Sequence, residues 1–349
     1  MFNQVRELMK KANLEGLWVT DEKSIHYLIN EHYQCNERFI GLYIDLKQKP
    51  KLVLNRLFMN ESNEVDLISY FDHDDVHQII QDITTGKRIG LDKNMRAEFV
   101  LSLLELDAHF ENGSHCVDQL RAIKDEIDIN MMINASSLND QIMNQIRDYL
   151  KVGVSEIDVK NKILQLFSEQ SVKPSFEVIV AFGDHGCDPH AIPSDRRLTE
   201  NESIIIDIGC VVNGYCSDMT RTYFLETNPI KEIYSLVLEA NKKAIEAIKP
   251  GVTFSELDKV ARDVITKGGY GDYFIHRLGH GIGKEVHEPY DVSASNNQQI
   301  QPGMCFSIEP GIYKPGVDAV RIEDLVYVNQ QGYGVVMNHV DKENPIIQQ

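Results

Sequence analysis

Apolar residues recur at helical spacing over residues 2–12, and the pattern stops near Asn13 and Gly16. Five short β-branched and aromatic runs follow, GLWVTD, FIGLYIDL, PKLVLN, DLISYF and RIGLDK. Each predicts a strand, with polar helical stretches such as 93–108 between them. From Val117 to Leu150 a long pattern rich in Ile, Met and Leu predicts a helix, and a second runs from Ser155 to Glu169 with Ser155 as its cap. Further helical stretches are expected near 229–248 and 255–267, the latter begun by Thr253 or Ser255, and residues 300–337 are strand-rich. This alternation predicts an α/β (α+β) chain of two domains, 1–120 and 121–349, with GSHCVDQLRAIKDE as the linker region.

The second domain carries the chemistry. Two of its apolar runs, SIIIDIGCVV and YCSDMTRTYF, flank Asn213-Gly214, the strongest short-range hairpin signal. A two-residue turn there pairs Val212 with Tyr215, so that Asp207 faces Thr220 and Gly209 faces Asp218. Asp207 and Asp218 then lie on one face as diagonal neighbours within reach of one ion. A slip of one residue would turn one of them to the other face. Paired carboxylates on a solvent-facing hairpin are commonplace, but this strand is too apolar for an exposed edge. A buried carboxylate is costly unless a cation or partner satisfies it.

GMCFSIEPGIY reads as a buried strand carrying Glu309 and stopped by Pro310-Gly311. AVRIEDLVYV reads as a second, on which Arg321 and Glu323 share a face by the strand period of two. Arg321 is then placed to orient the carboxylate network by hydrogen bonds. With His280 in RLGHGIG, the chain offers four carboxylates and one imidazole, a donor set suited to divalent cations such as manganese, cobalt or zinc. Two such ions sharing carboxylates can ionise a water near neutral pH, which predicts a hydrolase.

In their order and spacing, Asp207, Asp218, His280, Glu309 and Glu323 resemble the ligand set of the pita-bread metallopeptidases, among them methionine aminopeptidase, aminopeptidase P and prolidase. The resemblance covers the whole chain. It implies a pita-bread catalytic domain over 121–349, preceded by a smaller creatinase/prolidase-type amino-terminal α/β domain over 1–120. It implies two divalent metal ions per chain, manganese first, with cobalt or zinc as alternatives. Asp207 would chelate one ion, Asp218 and Glu323 would bridge both, and His280 and Glu309 would complete the other site. His190 in DPHAIP, His276 in FIHRLGHGIG, His287 in EVHEP, Tyr313 in EPGIY and Arg321 in VRIED stand where the proline-specific branch keeps functional residues. Imidazoles around such a centre can hold the scissile carbonyl, stabilise the oxyanion and shuttle protons. The remaining histidines, such as His26, His73, His77 and His115, read as ordinary loop or core residues.

The implied activity is hydrolysis of the peptide bond preceding proline by a homodimer acting on Xaa-Pro peptides, with Glu309 carrying a proton to the leaving proline nitrogen. Xaa-Pro dipeptidase is the leading reading and aminopeptidase P, acting on longer Xaa-Pro-Yaa peptides, the alternative. A non-catalytic pita-bread binding module is the alternative of another class, disfavoured because all five ligands are retained. The chain departs from the family pattern at three positions. Lys284 follows GHGIG where an apolar residue is frequent, and Cys187 stands near His190 where a small residue is common. Asp291 stands where prolidases tend to carry an Arg that pairs with a dipeptide's free carboxylate, leaving Lys284 and Arg277 as candidate replacements.

Composition changes this picture little. The 349 residues, 42% apolar, suffice for a core in each of two domains. A net charge of −18 argues against nucleic-acid and anionic-membrane partners. Six cysteines without a CxxC pair, several inside apolar runs, read as reduced thiols of a cytoplasmic protein. MFNQVRELMKKANLEG lacks the apolar core of a signal peptide, and no run reaches membrane-spanning length.

Overall fold

A computed structural model describes residues 1–58, 64–225, 228 and 230–347. The chain divides into two units, Met1–Arg121 and Ala122–Gln349. The first runs α1 (Phe2–Lys11), β1 (Gly16–Val19), α2 (Glu22–Ile29), β2 (Ile40–Asp45), β3 (Lys51–Asn55), β4 (Asp66–Tyr70), α3 (Val76–Ile83), β5 (Arg88–Leu91), α4 (Ala97–Leu103), β6 (His109–Asn112) and α5 (His115–Ala122). Its strands form one mixed sheet in the order β4-β3-β2-β1-β5-β6. Alternate residues divide between the two faces. Leu17, Leu42 and Leu52 pack with Val5 and Met9 of α1, whereas Trp18, Tyr43 and Val53 pack with Ile80 of α3 and Phe99 of α4. Both faces are covered, which explains why these strands read as near-continuous apolar runs.

The five predicted strands are present, with two refinements. The end of GLWVTD is not strand: Asp21 accepts the Ser24 amide at 2.8 Å and caps α2, a short helix that the β-branched SIHYLI run conceals. The helical stretch expected over 93–108 is confined to Ala97–Leu103.

The second unit opens with α6 (Glu126–Tyr149) and α7 (Glu156–Glu169), the latter capped by Ser155 as its sequence predicts. The single helix expected over 117–150 is instead two. Ile123 and Lys124 pair with Met304 and Gly303 as backbone, and Asp125 starts α6 afresh with a reciprocal cap to Asp128.

Strands β7 (Lys173–Pro174), β8 (Ile179–Phe182), β9 (Ser203–Ile208), β10 (Cys210–Val212), β11 (Tyr215–Cys216) and β12 (Met219–Phe224) follow. Then come α8 (Lys231–Glu246) and α9 (Phe254–Lys267), the latter capped by Thr253; residue 229, where the first was expected to start, lies outside the described residues. The unit ends with β13 (Gly279–Gly281), β14 (Glu288–Val292), β15 (Cys305–Ile308), β16 (Gly311–Lys314), β17 (Asp318–Arg321), β18 (Asp324–Val328) and β19 (Gly334–Val336). Helices α6 and α7 cover the β12-β9-β8 sheet through Ile142, Ile163, Ile204, Ile206 and Met219. Helices α8 and α9 cover the β14-β13-β15-β18-β19 sheet through Val237, Leu257, Phe306 and Val326. At about 1.5–3 kcal/mol per fully buried large apolar side chain, these cores can hold polar groups in place against their desolvation.

The hairpin register is the one its turn dictates. Val212 pairs with Tyr215 and Asp207 with Thr220, around a turn whose two residues, Asn213 and Gly214, both have positive φ. The ladder does not run through, however. It breaks between Ile208 and Cys210 on one strand and between Cys216 and Met219 on the other, so the two parts of the hairpin belong to different sheets. AVRIEDLVYV is likewise not one strand but two. β17 pairs with β16, β18 pairs with β15, and Glu323 stands at the break. Period-two alternation cannot reveal where a chain changes sheets.

Candidate metal centre and catalytic cleft

The sheet breaks assemble the candidate site. Asp207 lies on β9, Asp218 just before β12, His280 within β13, Glu309 just after β15 and Glu323 between β17 and β18. All five line one cavity of about 810 Å³, together with His190, His276, His287 and Arg321. Asp218, His280 and Glu323 offer ligand atoms within 4.8 Å of one another. The His280 Nε2 lies 3.7 Å from Asp218 Oδ2 and 3.4 Å from Glu309 Oε1.

Each group is held from its own strand. β13 passes so close to β15 that a Cβ at Gly279 would lie 2.0 Å from the Ser307 carbonyl oxygen, which explains the glycines around His280. The His280 amide donates to Ser307 Oγ at 3.0 Å, and that hydroxyl donates to Glu309 Oε1 at 3.0 Å. The His280 Nδ1 can only donate to the Gly281 carbonyl, 3.1 Å away, which leaves Nε2 as a lone pair facing the carboxylates. Thr220 donates through Oγ1 to Glu323 Oε2 at 2.8 Å and accepts from Arg321 Nε at 3.0 Å. Arg321 also donates to Asp207 Oδ2 at 2.8 Å and to the Tyr313 hydroxyl at 2.9 Å. Tyr313 in turn reaches His276 Nε2 at 2.8 Å, while His276 Nδ1 donates to the Arg277 carbonyl at 2.6 Å.

Burial governs the charges. Desolvation, followed by the neighbouring carboxylates, holds Asp218 and Glu323 well above the ordinary carboxylate range. Glu309 is raised by burial against the opposing pull of His276 and Arg321. Desolvation lowers His276, and it brings His280 and His287 down to about 4, with His280 adding to the effect on His287. The imidazoles are therefore neutral at physiological pH, the form that ligates metal. Two oxygens within this network, Asp207 Oδ1 and Glu323 Oε1, are buried with no hydrogen-bond partner. Unsatisfied buried acceptors in a cavity shared with two further carboxylates and the free Nε2 of His280 suit a cation, so the donor set fits divalent metal.

The predicted residues differ in their freedom to act. His190 and His287 present exposed rings to the cavity, whereas both ring nitrogens of His276 are engaged by protein groups. Thr220 and Ser307 were not singled out from sequence, although each carried a signal: Thr220 is the register partner of Asp207, and Ser307 precedes Glu309 by the strand period. Arg277 lines the cavity and donates to Asp291 at 2.7 Å. Lys284 is outside the cavity lining, over the Tyr215 ring at 5.6 Å from its centroid.

The family model of metallopeptidase family M24 matches residues 130–330, and that of the creatinase/prolidase N-terminal domain matches residues 2–123. The chain belongs to metallopeptidase family M24. M24 enzymes use divalent metals, in keeping with the donor set built here. An uncharacterized peptidase of Staphylococcus epidermidis is 36% identical over 346 residues, covering 96% of this chain and 98% of the relative. The crystal structure of a dipeptidase from Mycobacterium ulcerans superposes with a TM-score of 0.93 at 32% identity, covering 99% of this chain and 96% of that one. An Xaa-Pro dipeptidase from Bacillus anthracis gives a TM-score of 0.88 at 29% identity, with 99% of both chains covered. The fold is thus the M24 catalytic fold with a creatinase-type amino-terminal domain, and the protein is a metallopeptidase. Among the described residues, no helix is long and apolar enough to cross a membrane.

Proposed function

We propose that this M24 peptidase hydrolyses the bond preceding proline, with Xaa-Pro dipeptides as its main substrates, at a centre for two divalent cations, manganese first. Asp207 would hold one cation, Asp218 and Glu323 would be shared by both, and His280 and Glu309 would hold the other. The observation that carries this reading is the pair of unpartnered buried oxygens, Asp207 Oδ1 and Glu323 Oε1, in a cleft with two further carboxylates. When bound, the cations supply Lewis acidity toward the scissile carbonyl and a water of lowered pKa.

The protein groups do the rest. Glu309 takes a proton from the attacking water onto a carboxylate oxygen and passes it to the proline nitrogen, which leaves as a secondary amine. His190 and His287 reach the substrate from the open side of the cleft, where a ring N–H can donate to the developing oxyanion. The chain His276–Tyr313–Arg321–Asp207 fixes the polar wall opposite protein rather than solvent. Arg277 is the cation for a dipeptide's free carboxylate. Arg321 is fully engaged within the site, Lys160 of the cavity lining pairs with Glu177 at 3.1 Å, and Lys284 does not line the cavity; Arg277 engages Asp291 through Nη1 alone. The Xaa-Pro dipeptidase neighbour supports the choice of substrate.

Digestion of Xaa-Pro, Xaa-Pro-amide, Xaa-Pro-Yaa and Xaa-Ala peptides tests the reading, using metal-free and manganese-reconstituted protein. Proline release from Xaa-Pro, dependent on metal, is expected. Equal rates on Xaa-Ala would overturn it, and a preference for Xaa-Pro-Yaa would favour the aminopeptidase P reading. Arg277→Ala should raise KM for Xaa-Pro much more than for Xaa-Pro-amide.

A further inference from the structure

The segment joining β8 to β9 carries His190 and contributes residues 189–193 to the cavity lining. Its apex is open to solvent: His190 is exposed, and Ile192 is 80% exposed. Within the stretch, Cys187 packs against Ile205, Tyr313 and Ala319, Ala191 is buried, and Asp188 accepts the His190 amide at 2.9 Å; where this stretch sits over the cavity also depends on how its two ends are anchored. Both ends meet one carboxylate. Glu156 Oε1 accepts from the Phe182 amide at 2.9 Å and lies 2.7 Å from His185 Nδ1. Glu156 Oε2 accepts from the Ser194 amide at 3.0 Å and the Ser194 hydroxyl at 2.7 Å. The backbone of the same helical turn adds two bonds, from Glu156 N to the Arg196 carbonyl and from Ile157 N to the Ser194 carbonyl, each 3.0 Å.

A glutamate in the first turn of a helix is ordinarily a solvated group that favours the helix dipole. The Glu156 side chain is instead 0% exposed and turned toward the segment. Burying a carboxylate is costly unless donors satisfy it, and here four donors from residues 182, 185 and 194 do so. One rigid helix end thereby fixes where the segment leaves β8 and where it returns, with His190 between.

We propose that Glu156 is a positioning residue that sets the placement of His190 over the cavity. This rests on the reading of His190 as a group that acts on substrate. A displacement of about 1 Å can cost on the order of 10²-fold in rate when it moves a group out of its productive geometry. The amide of Glu156→Gln would point N–H donors at backbone and side-chain donors, releasing one end of the segment.

The test is a double-mutant cycle on the manganese-reconstituted enzyme with alanyl-proline, combining E156Q with His190→Ala. E156Q alone should lower kcat/KM about tenfold or more with metal content unchanged, and should cost less than about threefold in the His190→Ala background. Equal costs in both backgrounds would overturn the inference while leaving the role of His190 intact. His190→Ala at the wild-type rate would overturn both. Ser194→Ala, which keeps three of the four donors, should show the same coupling with a smaller effect and serves if E156Q does not fold. Hydrogen exchange gives a readout that needs no substrate: the hydrogen-bonded amides of Asp188, His190 and Ala191 should exchange faster in E156Q and, less so, in Ser194→Ala. Unchanged exchange there contradicts the proposal whatever the peptide specificity.

Discussion

Asp207, Asp218, His280 and Glu323 are buried where strands end or change sheets, each tied through its own strand to a neighbour. His190 and His287 are exposed on segments between strands. Both groups face one cavity, yet they are held by different means. The ligand candidates lie in or directly beside paired strands, Asp207 opposite Thr220 and the amides of Glu309 and Glu323 on the Leu278 and Thr220 carbonyls. His190 is held from a distance, by contacts such as those of Glu156, whereas the His287 ring lies against the His280 ring with centroids 4.2 Å apart. Cation binding and substrate handling should therefore separate under mutation.

The largest effect is expected at the shared carboxylate. Asp218→Ala should remove at least one cation and lower turnover by about 10³-fold or more, since several kcal/mol of Lewis-acid stabilisation are at stake at about 1.4 kcal/mol per tenfold. Metal analysis and hydrolysis of alanyl-proline check this together; an active variant with full metal content would contradict the assignment. Next in size, His287→Ala should lower kcat by roughly 10²-fold, the scale of lost oxyanion stabilisation or proton transfer. Its metal content should stay at the wild-type value, and loss of both cations from a folded variant would erase the contrast. A smaller change is expected for Thr220→Val, which removes the hydroxyl between Glu323 and Arg321. Cation affinity should fall about 10- to 100-fold, as for other partners of metal ligands, with kcat recovered at saturating manganese.

The smallest effect concerns stability without metal. Asp218 has a carboxyl raised by burial and by Glu323. A carboxyl whose folded pKa exceeds its unfolded value supports the fold at pH below the unfolded value of about 4. That support is withdrawn as pH rises through the folded value. Metal-free Asp218→Asn should therefore gain stability relative to metal-free wild type as pH rises from 5 to 8, read by denaturant unfolding. A gap independent of pH would show that the cluster does not resist ionisation.

The contrast between the two groups also explains how much of the molecule could be read from its sequence. Asn213-Gly214 sets a register, and that register placed Asp207 opposite Thr220 as found. The caps of Ser155 and Thr253 marked two helix starts because each satisfies its own first turn locally. Where the outcome depends on a distant partner, local pattern was silent. AVRIEDLVYV divides at Glu323 because β15 and β16 claim its two halves, and the 117–150 helix divides because residues 303 and 304 pair with 123 and 124. Tyr313 stood out through the family resemblance of EPGIY, whereas its place between His276 and Arg321 requires the folded chain. Glu156 had no local signal at all, since its donors come from residues 182, 185 and 194.

The measurement that tests the central claim most directly is a manganese titration of metal-free protein, following proline release from alanyl-proline against bound metal. Activity should be absent at the start, should rise with binding and should level off near two equivalents per chain. Proline release from protein shown to be metal-free, or full activity with one equivalent bound, would contradict the two-cation centre built on Asp207, Asp218, His280, Glu309 and Glu323.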